Sequence, residues 1–322
     1  MNGIDFIGDV HGFGDKLKGL LHALDYRNEK GAFRHHDRTV VFVGDLIDRG
    51  PQQLEVLAMV RSMVDAGSAQ VVMGNHEFNA VSYVTPDPQN PHDFMRPRSG
   101  PKGEKNRRQH EAFLAQIGEH STLHHEYVSW FRTWPLYLDL GDVRAVHACW
   151  HHASIEAVGL VARSSSGALP DEFFVDANVP GHPLQEAVEV LLKGPEVDLG
   201  PHGPYLDKDG HSRKAARIRW WDASARTLRE VAEIPPGSRT PVDQPFPQLP
   251  DEPCSAANRY GYASHVPVFF GHYWFDGEPH VTSPRSACLD YSAILPGRPL
   301  VAYRWDGEPD LVDEHFVRFI SS

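Results

Sequence analysis

Over the first 80 residues, short apolar runs alternate with amphipathic stretches. Ile4–Ile7, Thr39–Val43 and Val71–Met73 are brief, apolar and partly β-branched, which predicts strands. Between them, Leu17, Leu20, Leu21 and Leu24 recur at helical spacing over Asp15–Leu24. Leu54, Leu57, Met59, Val60 and Val64 do the same over Gln52–Val64, entered through Pro51 in the first turn. Strand–helix–strand–helix–strand predicts a parallel sheet with right-handed crossovers. Sites in such sheets form beyond the carboxyl ends of the strands.

The rhythm breaks at residues 84–110. Pro86, Pro88, Pro91, Pro97 and Pro101 precede a charged stretch, Lys102–His110, read as a surface insertion leading into a helix near Gln109–Ile117. A helix is expected over 125–132 and a strand over Val143–His147. Residues 163–255 are the least regular third. They suggest a helix near Leu184–Lys193, then a basic segment, Lys208–Arg219, then Trp220 and Trp221, read as core with a pocket wall as the alternative. Seven prolines over 235–253 predict loop or extended chain. The strand pattern returns at Val266–Phe270, Ala287–Ile294 and Pro299–Trp305. There is no internal repeat and no clean linker, so residues 1–322 are expected to form one domain, with insertions at about 84–125 and 163–255.

The chemistry gathers where the apolar runs stop. Gly8-Asp9-Val10-His11-Gly12 follows the first run. Residues two apart in an extended segment point the same way, so Asp9 and His11 converge, and Gly8 and Gly12 would keep the backbone slim beside them. Imidazole and carboxylate together suit Mn, Fe or Zn ions. Asp45 follows the second run and could bridge two such ions. Asp48 falls too late in the turn to share its position and is read as a supporting residue; Arg49 offers a fork for phosphate oxygens. After the third run, Asn75 supplies a hard oxygen, and His76, pointing elsewhere, is a candidate general acid. Glu77 would support the first turn of the next helix. Two later apolar runs each end in histidine, His147 and His272.

Composition adds limits. With 43 acids against 31 bases, the net charge is −12, so nucleic acid is not an expected partner. Three scattered cysteines give neither a disulfide framework nor a thiolate zinc pattern. Without a secretory signal or an apolar run of membrane-spanning length, a cytoplasmic protein with no membrane partner is expected. Of the 20 histidines, His35, His36, His124 and His125 sit in polar surroundings and are read as surface residues.

Gly-Asp-Val-His-Gly at 8–12, Gly-Asp-Leu-Ile-Asp-Arg-Gly at 44–50, Gly-Asn-His-Glu at 74–77, His147 and Gly271-His272 resemble, in order, the motifs of calcineurin-like metallophosphoesterases. The narrower resemblance is to the phosphoprotein phosphatase branch, with its bacterial protein phosphatases and symmetrical diadenosine tetraphosphate hydrolases. It implies an α/β fold, a two-sheet β-sandwich flanked by helices. It implies two divalent ions, manganese first, with iron, zinc, cobalt or nickel as alternatives. Asp9, His11 and Asp45 would hold one ion; Asp45, Asn75, His147 and His272 the other. Asp48 would orient His76, and Arg49 would bind phosphate. The implied activity is phosphomonoester hydrolysis of the serine/threonine phosphatase kind, with dinucleoside polyphosphate hydrolysis as the alternative and a phosphoprotein or nucleotide as substrate. A non-enzymatic scaffold would lack ligands, and here every ligand position is filled. The chain departs from the pattern after His147, where Ala-Cys-Trp-His-His replaces a Gly-Gly-type turn. The branch uses a second phosphate-binding arginine in the later part of the chain; Arg213, Arg217 and Arg219 lie in roughly that region, with a solvated basic segment as the alternative reading.

Overall fold

The N-terminal apolar runs become β1 (Gly3–Ile7), β2 (Arg38–Phe42) and β3 (Ala69–Val71), with β2 parallel to both its neighbours. The structure is a computed structural model that describes residues 3–164, 169–207, 210–256 and 259–320, so Lys208 of the basic segment lies outside the described residues. The two connecting helices are α1 (Gly14–Ala23) and α2 (Gln53–Asp65). α2 buries Val56, Leu57, Val60 and Met63, but Leu54 falls off that stripe and is exposed. Two further strands, β8 (Leu300–Trp305) and β9 (Phe316–Phe319), add antiparallel to β1 and to each other. The sheet is therefore mixed, in the order β9-β8-β1-β2-β3. Sequence reasoning passed over β9, which is only partly buried and lacks a clean alternation.

A second sheet runs β7-β6-β5-β4, from β4 (Tyr137–Asp139), β5 (Arg144–Val146), β6 (Val268–Phe270) and β7 (Ser286–Cys288). Here β5, β6 and β7 are parallel. Alternation along the strands sorts side chains to two layers. Phe6, Val41, Val43, Ala145, Phe269 and Ala287 point between the sheets, where the Phe6 and Phe269 rings stack at 4.1 Å. Ile7, Val40 and Phe42 face the helices on the outer side of the first sheet. The expected α/β two-sheet sandwich flanked by helices is what the chain forms.

The segment after α3 (Asn75–Val84) is more regular than its prolines suggest. It holds α4 (Gly100–Gln109), α5 (Glu111–Ile117) and α6 (Thr122–Phe131). The charged stretch is thus itself helical, and its last residue, His110, is buried. Further on come α7 (His152–Ser164), which sequence reasoning did not predict, α8 (Asp171–Asp176) and α9 (Pro183–Lys193). The basic segment contributes a strand, Ala215–Ile218. Trp220 and Trp221 are core residues, packed on Phe270 and Tyr273. Residues 289–294, expected as strand, leave the sheet after Cys288.

His124 is not a surface residue. It is buried, its backbone N–H donates to Ser121 Oγ at 3.0 Å, and its Nδ1 accepts from the His120 N–H. Burial, then nearby His110 and His125, pushes its pKa down to about 4. The unfolded chain binds that proton at about 6.5. The resulting stability is complete above that pH and is lost as pH falls towards 4. In His124→Gln, the urea midpoint should fall less steeply between pH 6.5 and 4 than in the parent. Phe269→Ala, which removes half of the inter-sheet stack, should cost about 3–5 kcal/mol by urea unfolding.

Candidate metal centre

The carboxyl ends of the parallel strands from both sheets meet at one edge. Asp9 and His11 leave β1, Asp45 leaves β2, and Asn75 opens α3 just beyond β3. From the other sheet, His147 follows β5, His272 follows β6, and Asp290 follows β7. The backbone bends hard to bring these side chains together. His11, Asp45, Asp48, Arg49 and His272 all have φ between 47 and 71°, in the left-handed region. Each such residue costs on the order of 1 kcal/mol and persists only where its surroundings impose it. The loops impose it on each other: Val10 and His11 N–H donate to the Asp45 carbonyl, and Gly12 N–H to that of Leu46.

Asp45 is the hub. Its Oδ2 lies 3.4 Å from His147 Nε2, 3.6 Å from His11 Nε2 and 3.9 Å from His76 Nε2. Its Oδ1 accepts the His76 backbone N–H at 3.0 Å. Burial alone would raise the Asp45 pKa, but His147 and His76 outweigh it and hold it well below the usual carboxylate range.

The donor set fits divalent cations. His147 Nδ1–H donates to the Val43 carbonyl and His11 Nδ1–H to that of Ile47, both at 2.9 Å. Both Nε2 lone pairs are thereby turned on Asp45, in the orientation metal-bound histidines adopt. Asn75 Oδ1 lies 3.1 Å from His147 Nε2. Lone pairs so close need a proton or a cation between them. A proton on His147 cannot serve the two remaining atoms: Asp9 Oδ1 and His272 Nε2 are buried and make no hydrogen bond. Burial, then Asp290 and Asp45, pushes the Asp9 pKa well above its usual range. Burial, then His76, pushes that of His11 down to about 3. Burial, then Arg217, pushes that of His272 well below normal. A cation would reverse the repulsion between the carboxylates.

Glu77 does more than support a helix turn. It accepts backbone N–H groups of Gly74, Asp45, Leu46 and Ile47 at 2.8–3.2 Å, clamping the β2 loop to α3. Burial, then the Asp45 charge, raises its pKa to about 7. Close approach explains two glycines: a Cβ at Gly74 would stand 2.2 Å from Asp45 Oδ1, and one at Gly271 would stand 2.0 Å from Asp9 Oδ1. Gly8 and Gly12, expected to serve the site, instead meet the Leu289 carbonyl and the Gln53 side chain.

Beside the hub sits an acid–base pair. His76 Nδ1 meets Asp48 Oδ2 at 2.5 Å. Burial alone would depress His76, but Asp45 and Asp48 raise its pKa above normal. Asp48 is pulled well below its usual range, against the effect of burial, by His110 and His76. Arg49 is exposed at the rim, and its charge lowers the pKa of both His11 and His76. Of the later arginines, Arg213 pairs with Asp207 and Arg219 with Glu233. Arg217 donates to the His272 carbonyl at 3.4 Å, which sets it nearest the centre of the three.

Sequence reasoning missed His110, Asp290 and Trp274. Asp290 follows the apolar run Ala287-Cys288-Leu289, the same signal that marked the other strand ends. It accepts the N–H groups of Trp274 and Ser292. The Trp274 ring lies 6.2 Å from that of His11. No pattern in the sequence marked Trp274 or His110.

A two-sheet sandwich with carboxylates, histidines and an asparagine at converging strand ends defines a class of metal-dependent phosphoric ester hydrolases. The chain belongs to the calcineurin-like phosphoesterase family, whose model matches residues 3–214. Members work with two metal ions. A stretch of 73 residues is 49% identical to the asymmetrical bis(5'-nucleosyl)-tetraphosphatase PrpE of Halalkalibacterium halodurans, covering 22% of this chain and 30% of that one. A stretch of 80 residues is 40% identical to the symmetrical bis(5'-nucleosyl)-tetraphosphatase of Baumannia cicadellinicola, 25% of each chain. The chain thus spans less than a third of the length of these curated relatives. A protein serine/threonine phosphatase from Saccharomyces cerevisiae, similar to human phosphatase PP5, superposes with a TM-score of 0.53 at 12% identity, over 99% of this chain and 80% of that one, which shows a shared fold. Among the described residues, no helix is long and apolar enough to cross a membrane.

The purified protein, loaded with Mn²⁺ and desalted, should retain about two ions per chain by elemental analysis. Asp45→Ala should lose both, and Asp9→Ala mainly one. Free Mn²⁺ at 100 times its Kd should stabilise the parent protein by about 2.7 kcal/mol for each site it fills, read in a thermal melt.

Proposed function

We propose that this chain hydrolyses phosphomonoesters. Asp9, His11 and Asp45 would hold one divalent ion, and Asp45, Asn75, His147 and His272 the other. Manganese is the expected ion. When bound, the pair supplies an activated water and neutralises phosphate charge, which matters in a protein of net charge −12. Arg49 at the rim and Arg217 near His272 hold the remaining phosphate oxygens through planar forks. His76 carries a proton on Nε2, facing the Asp45 side of the site, and gives it to the departing oxygen.

The observation that carries this reading is the 2.5 Å bond between Asp48 and His76. It keeps Nδ1 protonated and aims Nε2 at the hub. A proton donor with a raised pKa serves an alkoxide leaving group, such as that of a serine or threonine ester. A departing nucleotide phosphate needs far less help. A second reading, dinucleoside polyphosphate hydrolysis, is favoured by the names of the bis(5'-nucleosyl)-tetraphosphatase relatives, each matched over a short stretch.

Turnover of a phosphoserine peptide and of diadenosine tetraphosphate, with Mn²⁺ added to metal-free protein, separates the two. The first reading expects the peptide to be preferred by kcat/KM; a preference for the dinucleotide would replace it with the second. His76→Asn should lose about 10²–10⁴ in kcat on a poor leaving group while keeping its metal. Unchanged turnover at full metal content would remove His76 from the role. Arg49→Ala should raise KM for phosphate esters, and added inorganic phosphate should inhibit it less.

A further inference from the structure

Asp48 has a histidine on each oxygen. Oδ2 meets His76 Nδ1 at 2.5 Å, and Oδ1 meets His110 Nδ1 at 2.7 Å. An ionised carboxylate only accepts, so both Nδ1 atoms carry hydrogen. The Asp48 backbone N–H is tied to Gln53 Oε1 at 2.8 Å, which fixes the main chain and leaves the side chain to the two imidazoles.

The His110 ring has no other polar business. It is buried, stacked on Phe113 at 4.8 Å and set edge-on to Tyr83. Its Nε2 makes no hydrogen bond. Burying an imidazole with an unpaired nitrogen costs free energy, and the bond to Asp48 is the polar contact set against it. The ring reaches Asp48 from the junction of α4 and α5, in the insertion. The preceding residue, Gln109, accepts from Arg96 Nη2 at 2.8 Å, and Arg96 Nη1 donates to Asn79 Oδ1 at 2.9 Å. Asn79 lies on α3, one turn past His76. The insertion is thus latched to the helix that carries the acid.

We propose that His110 is a positioning residue: its Nδ1–H holds the Asp48 carboxylate so that Oδ2 stays on His76, and the insertion at 84–125 thereby takes part in proton delivery. The inference rests on the proton-donor role given to His76 above. Without His110, Asp48 Oδ1 loses its hydrogen-bond donor and keeps only the unbonded charge of nearby Arg96, the carboxylate turns to find another donor, and His76 loses its aim. The loss appears only where the leaving oxygen needs a proton.

The test compares the Mn²⁺-loaded parent with His110→Leu, His110→Asn and His76→Asn on phenyl phosphate and 2,4-dinitrophenyl phosphate, with metal content measured. His76→Asn should lose about 10²–10⁴ in kcat on the phenyl ester and far less on the dinitrophenyl ester. His110→Leu should show the same split at smaller size, roughly tenfold or more against less than about threefold, with KM little changed. His110→Asn sets an amide N–H where Nδ1–H was and should recover most of the loss. If His110→Leu does not fold, His110→Gln, whose amide is displaced by one methylene, should show the split instead. Equal losses on both esters, no loss at full metal content, or an asparagine variant no better than leucine would overturn the inference. A split in His76→Asn without one at His110 sinks this inference alone. No split in His76→Asn removes the proton-donor reading, and His110's role with it.

Discussion

A buried carboxylate has to be compensated, and the Asp45 carboxylate draws its compensation from both sheets and from α3. Three imidazole Nε2 atoms lie within 3.9 Å of one of its oxygens, and a backbone N–H meets the other. Those imidazoles come from β1, α3 and β5, so both sheets must close before the charge is balanced. The left-handed backbone at Asp45, Asp48 and Arg49 is the local cost of this arrangement. The Glu77 carboxylate, which accepts N–H groups from that same loop, helps offset it.

The hub also sets the character of its neighbours. The Asp45 charge raises the pKa of His76 and His147, while burial depresses that of His11 and His272. Under the proposed function, identical side chains thereby take different parts: His76 would carry a proton, braced by Asp48, and His11 and His272 would be neutral donors. The two parts are separated by a few ångströms and by which nitrogen the surrounding carbonyls and carboxylates claim.

Much of this was legible in the sequence. The first three strands and two helices follow from period-two and period-3.6 patterning, and the site residues stand where each apolar run stops. The rule would have caught Asp290 as well, since Ala287-Cys288-Leu289 has the same form. It failed at Leu54, which fits the spacing of α2 but falls outside the buried stripe, and at α4, where a charged exposed helix carries no apolar period. His124 and His110 looked like surface histidines because their neighbours in sequence are polar; their neighbours in space are aromatic.

The sequence by itself determined the alternating elements, the family and the set of side chains available for metal and phosphate. These are local properties, carried by spacing along one strand or helix. The tertiary structure alone decided which side chains meet. It turned Gly8 and Gly12 away from the site, set Arg217 nearer to it than Arg213 or Arg219, made Glu77 a clamp, and brought His110 across 62 residues onto Asp48. The reason is physical: a hydrogen bond or a buried charge pair depends on distance and orientation after packing, and no pattern of neighbours along the chain encodes a contact that exists only when two sheets and an insertion have closed on one another.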